Sequence, residues 1–454
     1  MPIAAFVLEA AFKFTKAVTT TAVVVEMMVA EMSWAVTAKE ATHSFFLHAT
    51  RVEMGASQYM RCGAERVQDM QYRKDKQGNL LSALGFGGLR FHKNFAETER
   101  QVRYAIEQGV NYFDTAYSYG NSEATLGKIL AKDGLRQRVK IATKLPYHKV
   151  KKRADFDQLF HTQLERLQTD HIDYYLIHML PNIKSWKWLL ELGIIEWVEE
   201  KQAEGKMGQF GFSFHGTAED FIELIDVWDW DFCMIQYNYY DINHQAGQQG
   251  LDYATARGVP VMVMEPLRGG TLVNKLPADA QALWSATPGE RSAAEWGLRW
   301  VLDHAQVLTV LSGMGTMEMV VENVRVADDH VAGTLTKEEL ARYDQVREMI
   351  RAQTLVDCTG CGYCMPCPQG VDIPLSLSGL NDTVLLGRWK SQYWYVLTTE
   401  GHNASRCNGC GLCEPLCPQD IPIRDMLQET VRWLERPPYK VMRYFSRKSL
   451  KNQK

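Results

Sequence analysis

Eight of the chain's ten cysteines fall in two tight runs near its C-terminal end. Cys407, Cys410, Cys413 and Cys417 read C-x2-C-x2-C-x3-C and are followed by Pro418; Cys358, Cys361, Cys364 and Cys367 are spaced one residue shorter at the last step and are followed by Pro368. Four thiolates so close together suit an iron–sulfur cube, which the backbone must wrap closely. Gly360, Gly362, Gly409 and Gly411 lie between the ligands and leave room for that wrapping. Zinc is the competing reading, but zinc knuckles pair their C-x2-C units across a longer spacer, and four in one run are unusual for it. Disulfides fit badly, since cysteines two residues apart rarely meet the geometry of a bridge. The chemistry this pattern points to is electron transfer. Cys62 and Cys233 stand apart and read as ordinary thiols.

A second set of residues suits proton chemistry. Asp114, Tyr119, Lys144 and His178 each stand at or just beyond the end of a short apolar run. An ammonium beside a phenol favours the phenolate, so Lys144 is expected to lower the pKa of Tyr119 toward working pH. A phenol whose pKa is lowered in this way can protonate a carbonyl oxygen as it becomes an alkoxide. Asp114 would hold the lysine, and His178 would orient or polarise the carbonyl. Together the four suit hydride transfer to an aldehyde or ketone.

These residues need a frame that brings them to one place. Eight apolar runs read as strands: 81–88, 112–116, 139–144, 172–178, 209–214, 232–236, 260–264 and 307–311. Amphipathic segments lie between them, including 97–108, 122–132, 155–167 and 188–204. Eight β–α alternations predict a (β/α)8 barrel, whose chemistry gathers at the C-terminal strand ends. Asp114, Lys144, His178, Ser213 and Gln236 all fall there. No G-x-G-x-x-G follows any strand, which argues against a doubly wound dinucleotide fold. Trp186, Trp188, Trp197, Trp228 and Trp230 are expected to pack helices on the sheet, and residues 148–153 to form a solvated basic loop. Arg90, just past the first strand, is expected near the barrel mouth.

The chain resembles the aldo-keto reductase superfamily. The resemblance is carried by the Asp114–Glu123 segment, by Ala142-Thr143-Lys144 and Asp173–His178, by Gly211–Ser213 and Gln236–Asn238, and by Glu322-Asn323. It runs from about Leu80 to Asp328 and includes all four of the family's catalytic positions. The phrase Cys-Thr-Gly-Cys-Gly-Tyr-Cys-Met-Pro-Cys-Pro is similar to that of the branch with a C-terminal ferredoxin-like module. The resemblance implies a nicotinamide dinucleotide across the barrel mouth. Ser213 and Gln236 would hold its carboxamide, Gly313 and Gly315 its pyrophosphate ahead of a helix beginning near Met317, and Glu322 with Asn323 its adenine. The aromatic platform of many members is replaced by Met264 or Glu265, and no cation stands at Ser312–Gly315 or Met319 to clamp a 2′-phosphate. Charge-assisted bonds of about 1.5–3 kcal/mol each are thereby lost, so NAD is slightly favoured over NADP. In two-cluster ferredoxins the fourth cysteine of each run serves the other cube. That implies two [4Fe–4S] clusters, one on Cys358, Cys361, Cys364 and Cys417, the other on Cys407, Cys410, Cys413 and Cys367.

The 454 residues are thus expected to divide into an extension of uncertain status (1–69), an aldo-keto reductase barrel (70–335), a mainly α-helical iron–sulfur domain (336–435) and a basic tail (436–454). The extension has no arginine before Arg51, and its acids interrupt every apolar run, so neither a membrane span nor a presequence is expected. Net charge is −4, which gives no reason to expect nucleic acid. The expected function is an oxidoreductase of the cytoplasm acting on a small carbonyl or alcohol, with the clusters passing electrons and a redox partner protein as a further ligand. The alternative is a nicotinamide-binding sensor or electron-transfer subunit with no carbonyl substrate of its own.

Overall fold

The structure, a computed structural model, describes residues 70–286, 291–385, 387–399, 401–437 and 439. The 1–69 extension and most of the basic tail lie outside them. Among the described residues ten strands are present: β1 (Tyr72–Lys74), β2 (Leu80–Ser82), β3 (Leu84–Gly87), β4 (Tyr112–Asp114), β5 (Lys140–Leu145), β6 (Ile172–Ile177), β7 (Met207–Phe214), β8 (Phe232–Gln236), β9 (Val261–Met264) and β10 (Val307–Ser312). β3 to β10 close into a barrel of parallel neighbours, with β10 pairing back onto β3 through Val310 and Leu84. All eight expected barrel strands are present.

Two expectations need correction. The run 81–88 is not one strand. The chain bends at Ala83, where the Ser82 hydroxyl donates to Leu84 O at 2.7 Å, and β2 pairs antiparallel with β1 as a hairpin. The hairpin's Arg73 donates to the carbonyls of Leu302, His304 and Val307 at the N-terminal end of β10. Likewise 188–204 is two helices, Ile183–Glu191 and Ile194–Ala203. They are parted at Gly193, whose φ of 76° ends the first in the left-handed conformation that glycine adopts without strain.

The barrel interior is filled by side chains. Tyr112, Tyr174 and Phe232 meet edge to face at 5.3 Å, with Met234, Met262 and Leu311 above and below. Outside the sheet, Trp186 and Trp230 (4.8 Å) and Phe156, Phe160 and Trp197 lock helices onto strands, as the tryptophan pattern implied. Burying each such side chain contributes about 1.5–3 kcal/mol.

The helix Lys337–Arg351, opened by a Thr336/Glu339 capping box, packs on the barrel; Tyr343 donates to Trp296 O at 2.8 Å and Arg347 to Tyr239 O at 2.8 Å. Beyond it, helices Ile373–Leu385, Arg388–Thr398 and Ile423–Leu434 form the small helical module that carries the cysteines. Its own core is Val371, Ile373, Leu377, Leu380, Ile423 and Leu427, with six of the eight clustered cysteines packed against it. Among the described residues no helix is long and apolar enough to cross a membrane.

Candidate active site at the barrel mouth

Asp114 ends β4 and Lys144 lies one residue before the end of β5, so adjacent strands aim both at the C-terminal mouth. The Lys144 ammonium donates to Asp114 Oδ1 at 2.6 Å, Asp114 Oδ2 at 2.7 Å and Thr115 O at 2.8 Å. Three donors are all an ammonium has. None remains for the Tyr119 hydroxyl, and the lysine instead faces the Tyr119 ring, 4.9 Å from its centroid. Burial pushes Asp114 up and Lys144 down, and each holds the other back. The two short contacts keep them an ion pair.

The expected lowering of Tyr119 is therefore wrong in sign. Burial pushes its phenol well above the ordinary range, with the hydroxyl of Tyr363 and the Asp114 charge acting the same way. Burial outweighs a lysine whose charge is already neutralised by Asp114. His178, one residue past β6, meets the Tyr119 ring edge to face at 5.7 Å. Its imidazole is held well below its ordinary value, first by burial and then by the Lys144 charge, so it is neutral at pH 7. The four candidates do converge at one point.

A cleft of about 360 Å3 opens from that point, lined by Asp114, Tyr119, Glu265, Gly313, Gly315, Glu322 and Asn323 among others. Helix Met317–Asp329 starts beside it, capped by Thr316, whose hydroxyl accepts from Met319 N. A pyrophosphate fits this end: backbone amides and a helix N-terminus face it, and Arg90 is the single basic side chain among the described residues lining the cleft. Ser213 and Gln236 do not line it. Ser213 Oγ accepts from Met179 N at 2.9 Å, and Gln236 Nε2 donates to Asp241 Oδ2 at 2.9 Å while its Oε1 accepts from Gln419 at 2.6 Å. The carboxamide contacts implied for them are already taken. Glu265, at the platform position and at φ 55°, keeps Oε2 buried without a partner; burial, then the Asp241 charge, raises it to about 7.

The cysteine module sits on this mouth. Gln419, two residues past Cys417, bonds Gln236, and Gln245 donates to Pro418 O. Arg268 donates to Asp357 O at 3.1 Å, just before Cys358. Cys358, Cys361, Cys364 and Cys417 line one small cavity of about 20 Å3, the set implied for the first cube. A donor set of four thiols around one enclosed space fits a cubane centre. Cys367 and Cys407 are the cysteines whose charge bears on Cys413, and Cys410 is exposed. Among the described residues no group of three His, Cys, Asp or Glu could hold a lone metal ion.

Two residues at the mouth carry no local sequence signal. Tyr363, between Cys361 and Cys364, places its hydroxyl 3.2 Å from His178 Nε2, beside the Tyr119 phenol. Gln419 is the other. Only their place in the cysteine runs marks them.

Residues 83–348 match the family model described as "Aldo/keto reductase family". The chain belongs to that family. Residues 357–422 match the 4Fe-4S dicluster domain. Among relatives of this aldo/keto reductase are an aldo-keto reductase of Mycolicibacterium vanbaalenii, 29% identical over 60% of this chain and 91% of the relative, and methylglyoxal reductase YeaE of Escherichia coli, 27% identical over 61% and 95%. Similar solved structures include the holo form of aldo-keto reductase AKR11C1 from Bacillus halodurans (26% identity, TM-score 0.51, covering 61% of this chain and 96% of that one). An aldo-keto reductase from Klebsiella pneumoniae in complex with NADPH is 26% identical at a TM-score of 0.50, covering 61% and 95%.

Proposed function

We propose that the barrel interconverts a small aldehyde or ketone with its alcohol, Tyr119 being the proton donor. The observation that carries this is the convergence of Tyr119, His178 and the Lys144–Asp114 pair at the inner end of the cleft. The raised phenol holds its proton at pH 7, and an alkoxide developing on the substrate is more basic still, so the transfer runs downhill. Lys144, facing the ring, stabilises the phenolate that remains. Neutral His178 donates through Nε2 to the same oxygen, and Asp114 fixes the lysine. A nicotinamide dinucleotide bound in the cleft would supply or accept the hydride, its pyrophosphate at Gly313 and Gly315; the NADPH complex of the Klebsiella relative supports this coenzyme class. With Arg90 the lone cation lining the cleft, NADH is favoured; dissociation constants decide, and tenfold tighter NADPH overturns the preference. The test of the main reading is NAD(P)H-dependent reduction of an aldehyde panel. Tyr119→Phe is expected to lower kcat about 10²- to 10⁴-fold; an active variant sinks the assignment.

We further propose that the dicluster domain holds two [4Fe–4S] clusters, on Cys358, Cys361, Cys364 and Cys417 and on Cys367, Cys407, Cys410 and Cys413, within a module that follows the barrel. Cys361 lines the same cleft as Tyr119, which favours a second reading. There the clusters exchange electrons between the cleft and a partner protein, and the barrel serves as a nicotinamide-binding electron-transfer subunit. Anaerobic NADH that leaves the cluster absorbance unchanged counts against it. Free thiols of this kind persist in a reducing compartment, which supports the cytoplasm.

A further inference from the structure

We infer that the Tyr363 hydroxyl stands where the substrate's carbonyl oxygen binds, so that the cluster-binding loop is an internal competitor for that position and a wall of the substrate pocket. This rests on the carbonyl-reducing reading above.

Two groups are available to polarise a carbonyl here, Tyr119 Oη and His178 Nε2. One oxygen already occupies this place: Tyr363 Oη lies 3.2 Å from His178 Nε2, beside the Tyr119 phenol. A carbonyl oxygen making the same two contacts has no other place to sit, because Lys144 and Asp114 close the inner side with all three ammonium donors engaged. The Tyr363 ring is held edge-on by His178 at 5.9 Å and by His215 at 6.3 Å, and with Cys361 it lines the cleft. The hydroxyl is not what seats the module. Gln419 on Gln236, Gln245 on Pro418 and Arg268 on Asp357 do that independently. Immediately before Tyr363 stands Gly362 at φ 82°, where an added Cβ would meet nothing within 4 Å. Substrate entry therefore exchanges one hydrogen-bonded oxygen for another and leaves the ring as a side wall.

The test uses the anaerobically purified holoprotein and acetate, a small oxygen acceptor for the Tyr119 and His178 donors, with dissociation constants from titration calorimetry. Tyr363→Phe keeps the ring and removes the competing oxygen. It is expected to bind acetate about two- to tenfold more tightly than the wild type, the value of one hydrogen bond no longer to be displaced. Damage to the fold weakens binding, so a gain separates competition from structural disturbance. Tyr363→Leu, which keeps an apolar wall, is the second variant and is expected to move the same way. Unchanged or weaker binding in both variants, with Tyr119→Phe still weakening acetate, overturns the inference and leaves the carbonyl reading standing. Acetate indifferent to Tyr119→Phe as well overturns both.

Discussion

Removing Lys144 is the perturbation whose outcome the structure constrains most closely. Its side chain is 1% exposed and that of Asp114 5%, and all three ammonium donors are engaged by Asp114 and Thr115. Lys144→Met leaves a buried carboxylate with no counter-charge; Asp114→Leu leaves a buried ammonium with one carbonyl. Each single change is expected to cost about 3–5 kcal/mol, the penalty for a broken buried pair. The double variant removes both charges and fills the space with apolar atoms, so it is expected to recover most of that loss. The coupling between the two changes is then about 3 kcal/mol or more. Urea unfolding of the holoprotein at pH 7, followed by tryptophan fluorescence, reads it as two lowered midpoints and one restored. If the double variant loses as much as the singles added together, Lys144 is not held by Asp114 in the way described. Singles that each cost under about 1 kcal/mol would mean the pair is solvated, as exposed ion pairs are.

Two further outcomes follow from the site. Cys417→Ser is expected to deplete the cube beside the barrel and Cys367→Ser the outer one, each leaving about half the iron with a different electron-spin-resonance signal; loss of the same signal in both variants refutes the crossed pairing. Glu265 is raised from 4.5 to about 7, so the native state holds a proton there that the unfolded chain releases. Its contribution to stability therefore falls as pH rises from about 4.5 to 7 and is level above. Glu265→Gln should show a stability advantage over the wild type that grows through that window, and a constant difference from pH 4 to pH 8 contradicts it.

The frame was readable because a barrel strand writes itself locally, as in Phe232–Gln236, where a short apolar run ends in one polar side chain at the mouth. Asp114, Lys144 and His178 were candidates for the same reason, each at or next to such an end, while Tyr119 lies five residues past the end of β4. What stayed hidden is non-local. Nothing near Tyr363 announces that it will reach His178, which lies 185 residues earlier, and nothing near Gln419 points to Gln236, 183 residues away. The sign of the Tyr119 shift was hidden too, because sequence gives the neighbour Lys144 but not the saturation of its donors by Asp114 and Thr115. The breaks at Ala83 and Gly193 were missed because runs of similar hydrophobicity continue on both sides of each.

The thiols gathered in the enclosed cavity come from both ends of the helical module, Cys358, Cys361 and Cys364 before it and Cys417 after most of it. A cluster bound on all four, as proposed, would close a long loop around helices Ile373–Leu385 and Arg388–Thr398 and withdraw the chain entropy of that loop from the unfolded module. Loss of such a cluster would loosen the loops that carry Tyr363 and Gln419 over the barrel's polar floor. Oxygen tolerance of the metal and shelter of the reaction site are, on this architecture, a single property.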